Sequence, residues 1–405
     1  MHPEADKLWR GPRWTLALLL ATLSMLGPFS IDTYLPAFSG IAADIGATPV
    51  QMQQTLSAYL FAFALMNLFH GALSDSLGRR PVVLAAIGVF TLASVGCALS
   101  NDIAWLVAFR TLQGLSAGGG MVVGRAIIRD LFPPADAQRV MAQVTIYFGI
   151  APAVAPLVGG WLFVGLGWHA IFWFLALVGA ALLALMWWRL PESLHPSQRQ
   201  PVHPAHLMRG YWEIGSSARF LALALASGVP FNGMFLYVLA SPVWLGEHLK
   251  LAPTSFFWFF CISVAGIMTG AFFSGRVAGR VTRTRQVGIG FAIMAAATAA
   301  NLALNAVLVP HVSWALLPVG LYSFGWALMV PAVSLTLIDL VPHRRGMASS
   351  VQSFLGAVAN GLVAGVVAPL LMHSPMALAW GSAALMAAGL VAWVWVRPRL
   401  PVPLH

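Results

Sequence analysis

Long apolar stretches alternate with short polar ones along the whole chain of 405 residues. Each apolar stretch has about 18 or more residues with few or no charges, which is enough for a helix to cross a lipid bilayer. The pattern therefore predicts an all-α integral membrane protein of twelve transmembrane helices with both termini on one side. These helices are predicted near residues 14–37, 50–72, 81–100, 102–125, 138–162, 165–189, 218–241, 254–275, 286–308, 312–338, 347–372 and 375–396.

The longest polar interval covers residues 191–217 and divides the predicted helices into six and six. It predicts an N-terminal six-helix bundle at 1–190, a linker loop at 191–217 and a C-terminal six-helix bundle at 218–405. Two halves of equal helix number indicate two pseudo-symmetric bundles, an organisation found in transporters that are built from structural repeats.

The charge distribution gives the orientation of these helices. Only 8% of the residues are charged, compared with about 25% in soluble domains. Of the 22 lysines and arginines, Lys250 alone falls in a loop of one set and Arg110 lies within a predicted helix. All the others fall at the termini, in the alternate loops or at the helix ends next to those loops, a bias typical of cytoplasmic segments. We therefore expect a multi-pass protein of the cell inner membrane with cytoplasmic termini and linker. The net charge of +10 is explained by topology, and no nucleic-acid partner is expected.

The stretch GALSDSLGRRPVVL, residues 71–84, follows the second predicted helix on the cytoplasmic side. Gly71 and Gly78 allow a tight reversal and a close approach of helices. Asp75, Arg79 and Arg80 supply opposite charges that two conformational states could pair differently. We interpret the five residues as a gate, and the alternative is an ordinary solvated turn.

The fifth predicted helix contains APAVAPLVGGW, residues 151–161. Pro152 and Pro156 are each expected to remove a backbone hydrogen bond and bend the helix. Gly159 and Gly160 allow a neighbouring helix to come close. From the residues alone, this motif describes a kinked packing helix.

Two ionisable side chains lie deep within predicted helices, Asp32 in GPFSIDTYLP and Arg110 in LVAFRTLQGLSAG. Such residues are rare in membranes and usually functional, because each is costly unless it is paired or wetted. At about 1.5 Å per residue, both lie at a similar depth in the outer half of the bilayer. A static ion pair joining helices 1 and 4 is one interpretation. The other is that Asp32 carries a proton, because burial favours the neutral acid whereas a nearby arginine favours the carboxylate. Arg110 and Gln113 would then complete the proton-coupling network.

Other chemistry finds little support in the sequence. No metal-ligand spacing and no nucleophile motif is present, and the glycine-rich run SAGGGMVVG lacks the lysine of a phosphate-binding loop. We therefore expect no metal site, no catalytic residue and no cofactor, with a proton gradient as the energy source.

The loop motif, LVAFRTLQGLSAG (106–118), APAVAPLVGGW (151–161) and RLPES (189–193) together resemble the major facilitator superfamily over nearly the whole chain. Together with SIDTYLPA, they look most like its bicyclomycin-resistance branch of drug:proton antiporters. The resemblance implies that Asp75 faces the start of helix 11, HRRGMASS (343–350), to lock a cytoplasmic gate. It also implies a coupling role for Asp32 and Arg110, and an antiport role for the helix 5 motif. Ala155 departs from the family pattern, which often has glycine there.

Substrate contacts are expected from aromatic and polar side chains near the Pro and Gly breaks of these helices. The candidates are Phe29, Asp32, Tyr34, Arg110, Gln113, Tyr147, Asn232, Phe235 and Tyr237. The resulting hypothesis is a monomeric exporter of small amphipathic drugs or toxic compounds, driven by protons through alternating access. The alternatives are a metabolite transporter of the same fold, for an amino acid or a siderophore, and more remotely a membrane enzyme.

Overall fold

The protein is described by a computed structural model that covers residues 12–132, 140, 144, 150–199, 204–277, 280–341 and 345–400. It divides into two compact units, residues 1–204 and 205–405. All regular structure in the described residues is helical, as the hydropathy pattern predicts.

The first unit contains six long helices within its described residues. They are α1 (Arg13–Asp32), α2 (Pro49–Leu77), α3 (Arg79–Ala98), α4 (Ile103–Leu131), α5 (Ala151–Leu166) and α6 (His169–Arg189). The chain after α1 continues through a 3-10 turn, Leu35–Ala37, and a short helix, Phe38–Asp44.

The second unit also contains six long helices within its described residues. They are α7 (Ala218–Leu239), α8 (Phe257–Val277), α9 (Arg283–Val307), α10 (Val312–Asp339), α11 (Arg345–Leu362) and α12 (Pro375–Val396). α11 is extended by a π-helical turn, Val363–Val367, and a last turn, Ala368–Leu371.

Ten helices of the described chain are long and apolar enough to cross a membrane. They correspond to ten of the twelve predicted segments. α4 is not among the ten, because Arg110, Gln113 and a glycine run lower its hydropathy. α5 is shorter, and most of the residues before it lie outside the described part of the chain. Within the described helix Ala151–Leu166, Pro156 lies in the interior, as predicted, and Pro152 lies in the first turn.

Part of the predicted linker loop is helical. Residues Pro204–Gly215 form a helix, and Pro196–Gln198 form a 3-10 turn. Leu207, Tyr211 and Ile214 recur at helical spacing and give this segment the amphipathic pattern that the high content of proline and histidine had obscured.

The two units have a common set of helix contacts but are not alike throughout, since α7 packs extensively on α12 whereas the matching helices α1 and α6 barely touch. In the first, α4 packs on α1, α2 and α3, while α3 also packs on α6 and α1 on α5. In the second, α10 packs on α7, α8 and α9, while α9 also packs on α12 and α7 on α11. These common contacts are what an internal repeat would give, and the repeat stays a prediction of the sequence.

Glycines at two helix crossings of the first unit allow backbone to touch backbone. A Cβ atom added at Gly114 in α4 would lie 2.2 Å from the carbonyl oxygen of Tyr59 in α2. A Cβ atom at Gly159 in α5 would lie 2.0 Å from the carbonyl oxygen of Thr33. In a membrane, where helices associate mainly by close packing, such contacts fix the spacing of neighbouring helices.

We expect Gly159→Val to destabilise the first unit by about 1–3 kcal/mol, because the added side chain must displace the Thr33 backbone. Gly165→Val, in the same helix, is the matched control, since nothing lies within 4 Å of a Cβ atom there. Thermal unfolding of the purified protein in detergent measures the difference. Equal unfolding temperatures for the two variants would contradict the close approach.

Candidate functional site

The guanidinium of Arg110 is fully buried in the first unit, two turns into α4. It lies over two tyrosine rings, with its Cζ atom 4.4 Å from the ring centroid of Tyr59 and 4.9 Å from that of Tyr34. The faces of aromatic rings attract cations, by about 2 kcal/mol when the pair is desolvated. The two rings therefore offset part of the cost of burying a charge.

Arg110 uses only some of its hydrogen-bond donors. Its Nη1 atom donates to Oε1 of Gln113 at 2.8 Å and to the carbonyl oxygen of Ser30 at 3.4 Å. Gln113 in turn bonds to α3, since its Nε2 atom donates to Oγ of Ser94 at 2.8 Å. Nε and Nη2 of Arg110 are buried and have no hydrogen-bond partner among the described residues. The cation therefore keeps free donors for another acceptor.

Asp32 is the last residue of α1 and is buried, with 6% of its surface exposed. Arg110 contacts Ser30 and Tyr34, two residues to either side of it along the chain. However, Asp32 and Arg110, both described, form no ion pair within 4 Å. The static ion pair considered from the sequence is therefore absent from this conformation. The acid and the cation belong to one region but do not neutralise each other.

The hydroxyl groups of the two tyrosines hold the ring pair in place. The Tyr34 hydroxyl is 2.9 Å from Oγ1 of Thr55. The Tyr59 hydroxyl donates to the carbonyl oxygen of Gly27 at 3.0 Å and accepts from Ser30 Oγ at 3.1 Å. The sequence analysis identified neither Tyr59 nor Thr55. Their spacing of four residues, which places two polar groups on one face of an apolar helix, was the available signal.

The remaining candidates of the first unit lie in different surroundings. Phe29 is half-buried and packs against Phe174 of α6, with ring centroids 6.3 Å apart. Tyr34 is fully buried and also packs against Phe38 and Phe172, so it is a packing residue in this conformation. Tyr147 lies outside the described residues.

Three candidates lie on α7 in the second unit. Asn232 is buried, and its Nδ2 atom donates to the carbonyl oxygen of Gly228 while Oδ1 has no partner among the described residues. Phe235 stacks on Phe231 at 5.3 Å. The Tyr237 hydroxyl instead accepts from Asn301 at 2.7 Å and lines an interior cavity of about 10 Å³, which suits one water molecule and no larger ligand.

The loop after α2 forms an ionic cluster inside the first unit. Arg79 pairs with Asp75, one helical turn earlier, and its Nε atom donates to Asp130 of α4 at 3.0 Å. Arg80 turns away, and its Nη2 atom donates to the carbonyl oxygen of Trp187 at 2.5 Å. Gly71 has only Val122 near its position. Asp130 is a partner that the sequence analysis missed.

Glu192 of the RLPES segment caps the start of α3. Its carboxylate accepts from the backbone N–H groups of Arg79, at 3.0 Å, and of Arg80, at 3.3 Å. Gly78 makes this possible, because it has a φ of 107° and an added Cβ atom would lie 2.5 Å from Oε2 of Glu192. A carboxylate at a helix N-terminus is favoured by the helix dipole. Two segments recognised separately in the sequence thus form one structure.

Comparison with known proteins gives a family match. The model of the Major Facilitator Superfamily matches residues 18–364. An uncharacterized MFS-type transporter, YdgK of Bacillus subtilis, is 31% identical over 88% of this chain and 89% of its own. A bicyclomycin resistance protein homolog of Haemophilus influenzae is 32% identical over 68% of this chain and 69% of its own. Multidrug resistance protein D of Escherichia coli is 25% identical over 88% and 89%.

Solved structures agree on the fold. The peptide transporter POT in complex with sulfate superposes with a TM-score of 0.76 at 14% identity, covering 98% of this chain and 97% of its own. A bacterial homolog of the human lysosomal transporter Spinster, inward-facing and unoccupied, gives a TM-score of 0.70 at 16% identity, covering 95% and 96%.

Substitution of Tyr59 tests whether its ring stabilises Arg110. Tyr59→Phe keeps the ring and removes one hydroxyl, so we expect a loss of about 0.5–1.5 kcal/mol of folding free energy. Tyr59→Leu also removes the ring from beneath the guanidinium, and a further loss of up to about 2 kcal/mol is expected. Unfolding of both variants in detergent gives the comparison. Equal losses would show that the ring face contributes nothing to holding the cation.

Proposed function

Because the chain belongs to the major facilitator superfamily of secondary transporters, we propose that it exports small amphipathic drugs or toxic compounds in exchange for protons. We place it in the bicyclomycin-resistance branch, with alternating access as the mechanism. The cytoplasmic membrane is its proposed location, with both termini on the cytoplasmic side, as the arginine-rich loops indicate.

The names of the relatives support a drug as the cargo. A bicyclomycin resistance homolog and multidrug resistance proteins match between 62% and 88% of this chain. Bicyclomycin and chloramphenicol are therefore the first compounds to test. An amphipathic substrate also agrees with candidate contacts that are mostly aromatic, since ligand sites are largely apolar with a few polar groups.

The observation that carries proton coupling is the unpaired state of Asp32 and Arg110. A buried carboxylate without a cation partner is costly, whereas a protonated carboxyl needs only hydrogen-bond partners. Arg110 remains charged under all conditions and keeps Nε and Nη2 free. This arrangement suits a cycle in which Asp32 carries the proton in the conformation described.

Loss of that proton would change the pairing. An ionised Asp32 would be drawn to the free donors of Arg110, whose contacts already include Ser30 and Tyr34 on either side of it. Such a move would pull the end of α1 against α4. Gly159 of α5 lies against Thr33, the residue next to Asp32, so the shift would also reach the helix 5 motif.

The candidate substrate contacts differ in whether their side chains are available to bind a substrate. Phe29 and Phe235 are half-buried aromatic side chains, and Asn232 has a free acceptor in Oδ1. We assign these three to substrate binding. Tyr34 and Tyr237 are held by hydrogen bonds inside their units, and we assign them to shaping the surrounding helices.

The gate role of the loop after α2 rests on its ionic cluster. The Asp75 side chain is 52% exposed although it pairs with Arg79. Surface ion pairs contribute at most about 1 kcal/mol, so this one can break and re-form in each cycle. Residues 343 and 344, the first two of the predicted partner segment 343–350, lie outside the described residues.

Transport in proteoliposomes tests the function and the proton carrier together. With an imposed pH gradient, we expect the protein to move a compound from a panel of antibiotics and dyes against its concentration gradient. Asp32→Asn removes the titrating group, and we expect gradient-driven transport to fall at least about tenfold while counterflow exchange persists. Asp102→Asn is the control, because Asp102 caps the exposed start of α4.

Two outcomes would contradict the proposal. Accumulation by Asp32→Asn that still follows the pH gradient would exclude Asp32 as the proton carrier. If no drug or dye is moved, and cells with and without the protein have the same sensitivity profile, drug export itself is wrong.

The gate is tested by Asp75→Asn. This substitution removes the charge paired with Arg79, and we expect a shift of the conformational equilibrium by about 1 kcal/mol or less. Spin-label distances across the cytoplasmic ends of the helices, measured with and without substrate, would report it. Arg399→Gln, at the end of α12, is a matched change of one exposed charge. An unchanged distance distribution for Asp75→Asn would remove the basis for the gate.

A further inference from the structure

A groove of about 220 Å³ lies within the second unit, bounded by α8, α9 and α10. Its wall is made almost entirely of apolar side chains, including Phe273, Val277, Val281, Ile289, Phe324 and Leu328. Phe273 is 48% exposed and Ile289 42% exposed, so the groove is open to the surface of the unit. Because both residues belong to helices long and apolar enough to span a membrane, that surface adjoins the bilayer.

The polar residue in the wall is already satisfied. The Nε2 atom of Gln286 donates to Ser274 Oγ and to the carbonyl oxygen of Leu328, both at 2.8 Å. Both of its amide hydrogens are therefore used inside the protein. The groove offers a hydrocarbon surface that extends along α9 from Gln286 to Ile293, about 10 Å at the helical rise.

Arginines surround the end of this groove where α8 ends and α9 begins. Arg276, Arg280 and Arg285 are exposed, and each immediately precedes a residue of the wall, namely Val277, Val281 and Gln286. Arg276 lies over the ring of Phe272, with its Cζ atom 4.8 Å from the centroid. None of the three forms an ion pair with a residue that the structure describes.

A fourth arginine of the segment has a different role. Nη1 of Arg283 donates to Asp339 of α10 at 2.8 Å, which ties the start of α9 to the end of α10. Arg283 is thus paired with Asp339, whereas Arg276, Arg280 and Arg285 have no acidic partner in the described part of the chain. An apolar slot thus lies directly beside a concentration of positive charge.

We propose that this groove is a binding site for an anionic phospholipid. One acyl chain lies along the wall formed by Phe273, Ile289 and Leu328, and Arg276, Arg280 and Arg285 bind the phosphate and any further negative charge of the headgroup. This site does not depend on which compound the protein transports.

The arginines, and not the apolar wall, would make the site select anionic over neutral lipids. An acyl chain gains little from leaving other lipid chains for the groove, since both surroundings are equally apolar. Basic residues at the membrane surface attract anionic lipids, and each contributes about a fivefold change in affinity. The positive-inside rule explains why the loop is basic, but not why its arginines lie beside a groove.

Native mass spectrometry of the full-length protein in detergent tests the site. We titrate dioleoyl phosphatidylglycerol and dioleoyl phosphatidylcholine, which have the same chains and differ in net charge. The wild-type protein is expected to bind its first phosphatidylglycerol at least about tenfold more tightly. Each of Arg276→Gln, Arg280→Gln and Arg285→Gln should lower that affinity about fivefold. The loss for phosphatidylcholine should be smaller, because its choline already balances the charge of its phosphate.

A second variant and a control complete the experiment. Ile289→Trp fills the groove and should lower the affinity for both lipids, while unfolding temperatures show that each variant remains folded. The control, Arg397→Gln with Arg399→Gln, removes exposed charge at the end of α12. Equal effects in the control, equal affinity of the wild-type protein for both lipids, or a protein dimer in place of the lipid adduct would each overturn the proposal.

Discussion

The structure of the first unit depends on burying one arginine inside a membrane-spanning bundle. A charged side chain in a membrane is costly, by several kcal/mol on most scales, and it persists only where the surroundings compensate for it. Here the compensation comes from α1, through the Ser30 carbonyl, from Tyr34 just beyond it, and from Tyr59 of α2. Gln113 extends the network to Ser94 of α3. Side chains or backbone of α1, α2 and α4 therefore meet at a single guanidinium, and α3 joins the network through Gln113.

Sequence reasoning found the helices and the charges but not the neutral partners. Hydropathy separates the helices from the loops because a helix exposed to lipid must be apolar. Asp32 and Arg110 are conspicuous in the sequence because charged residues are rare in such helices. Tyr59, Thr55 and Ser94 carry at most a weaker signal, such as the spacing of Thr55 and Tyr59, since tyrosine and hydroxyl residues also occur in simple packing. Which of them meet depends on helix rotation and crossing, and these are decided by backbone contacts such as that of Gly114 with Tyr59. For the same reason the sequence could not tell that Tyr34 is enclosed by Phe38 and Phe172.

In the loop after α2, too, the contacts between residues close in sequence could be foreseen and the distant ones could not. The sequence places Asp75 close to Arg79 and Arg80 as opposite charges, and the structure pairs Asp75 with Arg79. Asp130 and Glu192 lie 51 and 113 residues from Arg79, so no local pattern could bring them to it. Their arrival depends on the packing of α3 against α4 and α6. Local chemistry was readable from the sequence, whereas chemistry assembled by the fold was not.

The incomplete satisfaction of Arg110 is itself informative. A cation needed only to join helices would be most stable with every donor used, because each unpaired buried polar group costs about 1–3 kcal/mol. This one leaves Nε and Nη2 without described partners while an acid lies two residues from its contacts. An arrangement that forgoes available stabilisation is expected where a second pairing must form at another stage of a cycle. The two donors without described partners are the atoms of Arg110 that an ionised Asp32 would pair with under the proposed cycle.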